Sequence, residues 1–239
     1  MHADCSSLWP QINETVGPCI RPGGLSLTRR ALDICRLPAG SRVADIGCGA
    51  GATLEHLDSA GMWPVGLDCS AALLADAALR SATGRLAEGR AAYLPFRDGA
   101  FDALFCECTL SILDDRAAAL EEYARVLKEG AFLIISDVFA RNTGAEDEAQ
   151  PDTLPVQGFL ARSGLVGHLA ALGFSVLVWE EHDRLLKEFA ARMVLAGQCL
   201  PDVWRGRPQG RQNGANGRRG ISYFLLVARK QCTLTGAGA

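Results

Sequence analysis

The stretch Val43-Ala44-Asp45-Ile46-Gly47-Cys48-Gly49-Ala50-Gly51 is an apolar run that closes on an acid and then places glycine at every second position. So glycine-dense a turn lets a ligand lie directly against backbone N–H groups, where any Cβ would block the approach. A second apolar run, Pro64-Val65-Gly66-Leu67-Asp68, again ends on an acid. Two strand ends tipped with carboxylates point to a nucleoside ligand whose ribose hydroxyls must be held.

Outward from the turn, strands and helices alternate. Apolar residues at Leu27, Ala31, Leu32, Ile34 and Cys35 predict a helix over Leu25–Leu37, stopped by Pro38-Ala39-Gly40. A strand follows at Arg42–Ile46, then a helix from Ala52 to Ser59 and a strand at Pro64–Asp68. Ser70 caps the next helix, which runs to about Leu79. Ala91–Leu94 reads as a short third strand and Phe101–Cys108 as a fourth. Asp114 or Asp115 starts a helix to Lys128, before the apolar strand Ala131–Val138. Beyond it the pattern predicts a surface loop at Arg141–Pro155, a helix at Phe159–Leu172, a strand at Phe174–Trp179, a helix at His182–Leu195 and a last strand at Ile221–Ala228. Several strands are apolar on both faces, which argues for a parallel sheet covered on both sides, an α/β doubly wound fold.

The chain of 239 residues carries no repeat, so a single domain over 1–239 is expected. Its parts are an N-terminal segment with the first helix (1–40), a cofactor-binding core (41–139) and a substrate-side half (140–239). The latter holds a flexible Gly/Arg-rich loop at 205–220. A formal charge of −3 gives no general attraction to nucleic acid or to anionic membranes, so the partner is expected to be a small molecule. Neither a leader nor an 18-residue apolar window is visible, which predicts a cytoplasmic protein without membrane insertion. Nine cysteines without C-x-x-C spacing indicate reduced thiols and no zinc site. His56, His168 and His182 sit at no ligand spacing.

Two ligands compete for the glycine turn. Gly47-x-Gly49-x-x-Ala52 also fits the dinucleotide fingerprint, with Asp68 at the distance of a ribose contact, so an NAD-dependent oxidoreductase is a rival reading. Asp45 separates the two. A carboxylate at the strand end ahead of the loop repels a pyrophosphate where a helix N-terminus normally attracts one. S-adenosylmethionine has no phosphate and carries an ammonium and a sulfonium.

On these residues the chain resembles the class I S-adenosylmethionine-dependent methyltransferases, of the type 11 branch that includes the quinone-biosynthesis enzymes. The resemblance covers about Ser26 to Val138. It rests on Asp45, Gly47, Gly49 and Gly51 as hydrophobic-x-Asp-x-Gly-x-Gly-x-Gly, on Asp68, and on Leu94-Pro95-Phe96-Arg97-Asp98-Gly99-Ala100-Phe101-Asp102. It implies a Rossmann-like, seven-stranded, mostly parallel sheet with an antiparallel last strand, and S-adenosylmethionine as cofactor. Asp68 is then expected to hold both ribose hydroxyls. The family's usual Asp-Ala pair before the Leu-Pro-Phe stretch is Arg90-Ala91 here, which leaves adenine to the Ala91 backbone and to packing from Leu94 or Cys69. Cys48 and Cys69 are expected to line the cofactor pocket.

Transfer from a sulfonium is an in-line displacement, so the protein mainly aligns an acceptor and excludes water. A hydroxyl or carbon acid needs a general base near the end of the fourth strand, for which Glu107 is the candidate. Cys106 and Cys108, flanking it, fall where that strand opens onto the cofactor, and a thiolate binds a thiophilic acceptor. The same segment is similar to arsenite methyltransferases: Cys108 matches their strand-four cysteine and Cys19 an upstream one, with no third counterpart. The bland alternative is that these cysteines only pack. Arg21, before Pro22-Gly23-Gly24, is a candidate to fold over the pocket and pair with the cofactor's carboxylate. A protein that keeps the cofactor fold without turnover is the last alternative.

Overall fold

The computed structural model describes residues 19–80, 85–141, 160–195 and 220–232. In chain order these form α1 (Ser26–Cys35), β1 (Arg42–Ile46), α2 (Ala52–Ser59), β2 (Trp63–Asp68), α3 (Ala71–Arg80), β3 (Leu86–Glu88) and β4 (Phe101–Glu107). A short 3-10 turn (Leu110–Ile112) precedes α4 (Arg116–Val126), β5 (Leu127–Ala140), β6 (Leu160–Ala161), α5 (Arg162–Ala171), β7 (Phe174–Glu181), α6 (Asp183–Leu195) and β8 (Ile221–Lys230). The sheet runs β3-β2-β1-β4-β5-β8-β7, with the two-residue β6 beside the end of β5. Pairing is parallel from β3 through β5, and β8 is antiparallel to both β5 and β7. This is the doubly wound, Rossmann-like arrangement with an antiparallel last strand.

The central strands are apolar on both sides because both faces are covered. Leu104, Cys106, Leu133, Ile135, Phe224 and Leu226 pack against Leu120 and Tyr123 of α4 and Leu165 and Leu169 of α5. The alternate residues Ala103, Phe105, Ile134, Tyr223, Leu225 and Val227 pack against Leu27, Ala31 and Cys35 of α1. The chain leaves β1 toward β2 and β3, then returns to β4 on the other side of β1. That reversal opens a crevice at the carboxyl ends of β1 and β4, where open α/β sheets bind ligands.

Several boundaries differ from the sequence expectation. The third strand is Leu86–Glu88, paired with Gly66, Leu67 and Asp68, and not Ala91–Leu94. Gly66 leaves room for its neighbours there, since a Cβ would stand 2.6 Å from Leu54 Cδ1 and 2.9 Å from Leu86 Cδ2. Residues 90–93 instead close a turn, with the Tyr93 N–H donating to the Arg90 carbonyl at 3.0 Å. Asp115, not Asp114, caps α4, accepting from the Ala118 N–H at 2.9 Å, and the helix ends at Val126. β5 is longer than expected, because Leu127 already pairs with Phe101 before the register shifts and Phe132 pairs with Ala103. Leu160 and Ala161, expected to be helical, are extended and pair with Phe139 and Ala140. Apart from Arg141 and Gly220, the predicted loops at 141–155 and 205–220 lie outside the described residues.

Candidate cofactor and acceptor site

β1 ends in Asp45 and Ile46, and the turn that follows has Gly47, Gly49 and Gly51 at φ +77°, +52° and +83°. Two of the glycines are also demanded by packing. A Cβ on Gly47 would lie 2.1 Å from Thr109 Oγ1, and one on Gly51 would lie 3.0 Å from Ala77 Cβ. A Cβ on Gly49 would meet nothing within 4 Å, so the open face of the turn is there. The turn's N–H groups are largely used within the protein. Those of Gly47 and Cys48 donate to the Leu67 carbonyl at 2.7 and 3.1 Å, that of Gly51 to the Cys48 carbonyl at 3.0 Å, and that of Gly49 to Asp68 Oδ2 at 2.8 Å. The expectation that a ligand lies against these N–H groups is therefore corrected at four positions. A loop whose donors are spent in this way is a poor phosphate cradle.

Asp68, at the end of β2, also accepts from the Ser70 N–H through Oδ1 at 2.9 Å, and its carbonyl receives the Gly89 N–H at 3.0 Å. Residues 90–93 therefore start beside the acid, with Ala91 buried and Cys69 exposed. The Cys48 side chain packs with Leu54 and Leu74 beneath the turn.

Asp45 is 3% exposed. Burial pushes its carboxyl up to about 8, with the Glu107 and Asp68 carboxylates adding in the same direction and Arg21 opposing. Glu107 is the hub of a buried cluster. It accepts from Thr28 Oγ1 at 3.0 Å and Thr53 Oγ1 at 2.9 Å, and pairs with Arg21 Nη1 at 2.9 Å. Arg21 also donates to the Gly24 carbonyl and to Thr28 Oγ1, each at 2.8 Å. With two hydroxyls and a guanidinium on it, Glu107 ties the N-terminal segment, α1 and α2 to β4. Thr28 and Thr53 were not singled out from sequence. Their only signal is a hydroxyl residue at the start of each helix.

The two cysteines flanking Glu107 lie on opposite faces of the sheet. Cys106 is fully buried on the α4 side, 3.4 Å from the Tyr123 hydroxyl. Cys108 has φ +52°, which turns it to the α1 side. There its Sγ stands 3.1 Å from Tyr223 Oη, which donates to Ser136 Oγ at 3.1 Å. Burial pushes both thiols up, as it does that of Cys19, where Arg21 opposes. Groups held protonated in this way are poor soft-metal ligands. Among the described residues no cluster of three His, Cys, Asp or Glu side chains can hold a metal ion. The thiophilic alternative therefore finds no support. Asp137, also unselected from sequence, is buried at the end of β5 and accepts the Ser111 N–H at 2.8 Å. With Arg116, which donates to the Leu110 and Ser111 carbonyls at 3.2 and 2.7 Å, it fixes the rim turn carrying Thr109.

A family model for a methyltransferase domain matches residues 44–135. The demethylmenaquinone methyltransferase of Corynebacterium urealyticum is 31% identical over 168 residues, covering 69% of this chain and 70% of that protein. The crystal structure of the [4+2]-cyclase SpnF superposes with a TM-score of 0.69 at 25% identity, over 93% of this chain and 92% of that one. The Haemonchus contortus phosphoethanolamine N-methyltransferase 2, solved with S-adenosyl-L-methionine, superposes with a TM-score of 0.66 at 17% identity, over 94% of this chain and 57% of that one. The nicotinamide reading is set aside by these matches and by a turn with few N–H groups to offer. The chain belongs to the class I S-adenosylmethionine-dependent methyltransferases, in the branch of the quinone-biosynthesis enzymes, with S-adenosylmethionine as its cofactor.

Proposed function

We propose that this methyltransferase acts as one domain in the cytoplasm and methylates an electron-rich carbon or oxygen of a small phenol- or hydroquinone-type acceptor. Its cofactor is proposed to lie across the open face of Gly49. The observation that carries this placement is that open face itself, flanked by Asp45 at the end of β1 and Asp68 at the end of β2. Each Asp68 oxygen accepts one backbone N–H and keeps lone-pair capacity for a ribose hydroxyl. Asp45 takes the cofactor's ammonium, Arg21 its carboxylate, and the Ala91 backbone with Cys69 borders adenine. Gly47 and Gly51 shape the turn, while Cys48 and Cys106 serve by packing. Cys108, half-buried beside Tyr223, faces the acceptor side.

The cofactor supplies a methyl group on a sulfonium, an electrophile that needs alignment more than activation. The acceptor class is supported by the name of the Corynebacterium relative, and a small molecule by the net charge of −3. Among the described residues no helix is long and apolar enough to cross a membrane, and the described cysteines form no disulfides. The free thiols fit a reducing compartment. The test is a screen with labelled S-adenosylmethionine against hydroquinones, phenols, amines, and arsenite with thiol. Label in hydroquinones or phenols is expected; label only in amines or arsenic would overturn the acceptor class. Label retained in the arsenic of a Cys108→Ser variant would exclude its thiol from that chemistry.

A further inference from the structure

The loop from Gly89 to Ala100 is gripped by one helix at five residues. On α4, Arg125 and Glu122 form a two-pronged ion pair, Nε to Oε1 at 2.6 Å and Nη2 to Oε2 at 2.8 Å. The pair then reaches across to backbone. Glu122 Oε2 accepts the Leu94 N–H at 2.7 Å, Arg125 Nη2 donates to the Leu94 carbonyl at 3.1 Å, and Nη1 donates to the Phe96 carbonyl at 2.8 Å. Asp98 Oδ1 takes a further bond from Nη1 at 2.7 Å. The helix end adds its own carbonyls, Arg125 O to the Gly99 N–H at 3.0 Å and Val126 O to the Ala100 N–H at 2.7 Å.

At its other end the loop is tied to β2, through the Gly89 N–H on the Asp68 carbonyl at 3.0 Å. The turn at 90–93 is thus stretched between the acid at the end of β2 and the α4 clamp. A loop held by backbone bonds at both ends enters binding with its conformational entropy already spent, which is worth affinity without any ligand contact.

We propose that Arg125, oriented by Glu122, is a positioning residue for the adenosine half of the cofactor. It holds Ala91 and Leu94 where the base is read, and no part of it touches the ligand. The inference rests on the placement of adenine given above.

The test measures dissociation constants of S-adenosylhomocysteine and of adenosine for the full chain, well below the unfolding temperature. Arg125→Gln is expected to weaken both ligands by the same factor, about tenfold. Arg125→Lys, which keeps the charge but not the fork, is expected to recover only part of it. Arg30→Gln, which breaks an exposed pair with Glu180 elsewhere, is the stability control. Hydrogen exchange at the 90–94 amides rises in step with the loss. Unchanged affinity for both ligands in folded Arg125→Gln overturns the proposal, as does a loss matched by Arg30→Gln at equal destabilisation. Should Arg125→Gln not fold, Arg125→Lys and Glu122→Gln carry the same comparison. If Asp68→Ala binds adenosine like the wild type, the placement of the nucleoside fails; if Asp68→Ala loses adenosine while Arg125→Gln does not, only the clamp fails.

Discussion

Cofactor affinity is expected to be steeply pH-dependent because of one carboxyl. Asp45 is buried beneath the glycine turn, and burial with the nearby Glu107 and Asp68 charges raises it to about 8. In the ligand-free protein at neutral pH it therefore carries a proton, which must leave before it can pair with an ammonium. The apparent dissociation constant then scales as one plus ten to the power of pKa minus pH, about a hundredfold above its limit at pH 6 and about tenfold at pH 7. Above about pH 8 the ligand's own α-amino group begins to lose its proton, so the informative limb lies below. The assay is isothermal titration of S-adenosylmethionine at pH 6, 6.5 and 7, in buffers of different ionisation enthalpy. About one proton released per cofactor bound near pH 6.5 is expected. Asp45→Asn, which keeps the shape and cannot titrate, is expected to bind weakly and without that slope. Equal wild-type affinity at pH 6 and 7, with buffer-independent heats, would refute the reasoning.

The same carboxyl shapes stability. Its folded value, about 8, lies above its ordinary value of 3.8, so the native state holds the proton longer than the unfolded chain. Unfolding free energy of the ligand-free protein should fall as pH rises from about 4 to about 8, by up to about 1.4 kcal/mol per unit from this group, and then level off. Urea melts should show the contribution absent in Asp45→Asn, and an identical pH slope in that variant would contradict it. Glu107→Ala strands Arg21, whose side chain is only 12% exposed, and should lower stability by about 3–5 kcal/mol; a loss within experimental error would remove Glu107 as an anchor. Gly49→Ala should fold at a cost of about 1 kcal/mol from its φ of +52°, yet lose cofactor affinity because the methyl group enters the open face. Gly47→Ala, driven against Thr109, should lose far more stability than Gly49→Ala, and the reverse order in thermal melts would contradict the packing described.

What could be read from sequence was what local chemistry decides. Asp45, Asp68 and the three glycines stand at strand ends because an apolar run, an acid and a turn follow one another in the chain, and the structure keeps that order. Residues 91–94 have strand composition yet form no strand. Their backbone groups are claimed by Glu122 and Arg125, about thirty residues on, and nothing in the loop itself announces this. The partners of Glu107, the candidate base, are hidden from sequence in the same way, since all three come from the N-terminal segment, α1 and α2. Alternation along β4 would place Cys106 and Cys108 together. The left-handed backbone at Cys108 separates them, and cysteine is not among the residues that signal a positive φ.

The most direct test of the account is product analysis after incubating the protein with S-adenosylmethionine carrying an isotopically labelled methyl group and a hydroquinone acceptor. The account predicts labelled, methylated hydroquinone in equal amount to S-adenosylhomocysteine, and loss of both with Asp68→Ala. Hydroquinone left unlabelled while arsenite with thiol becomes labelled would contradict it.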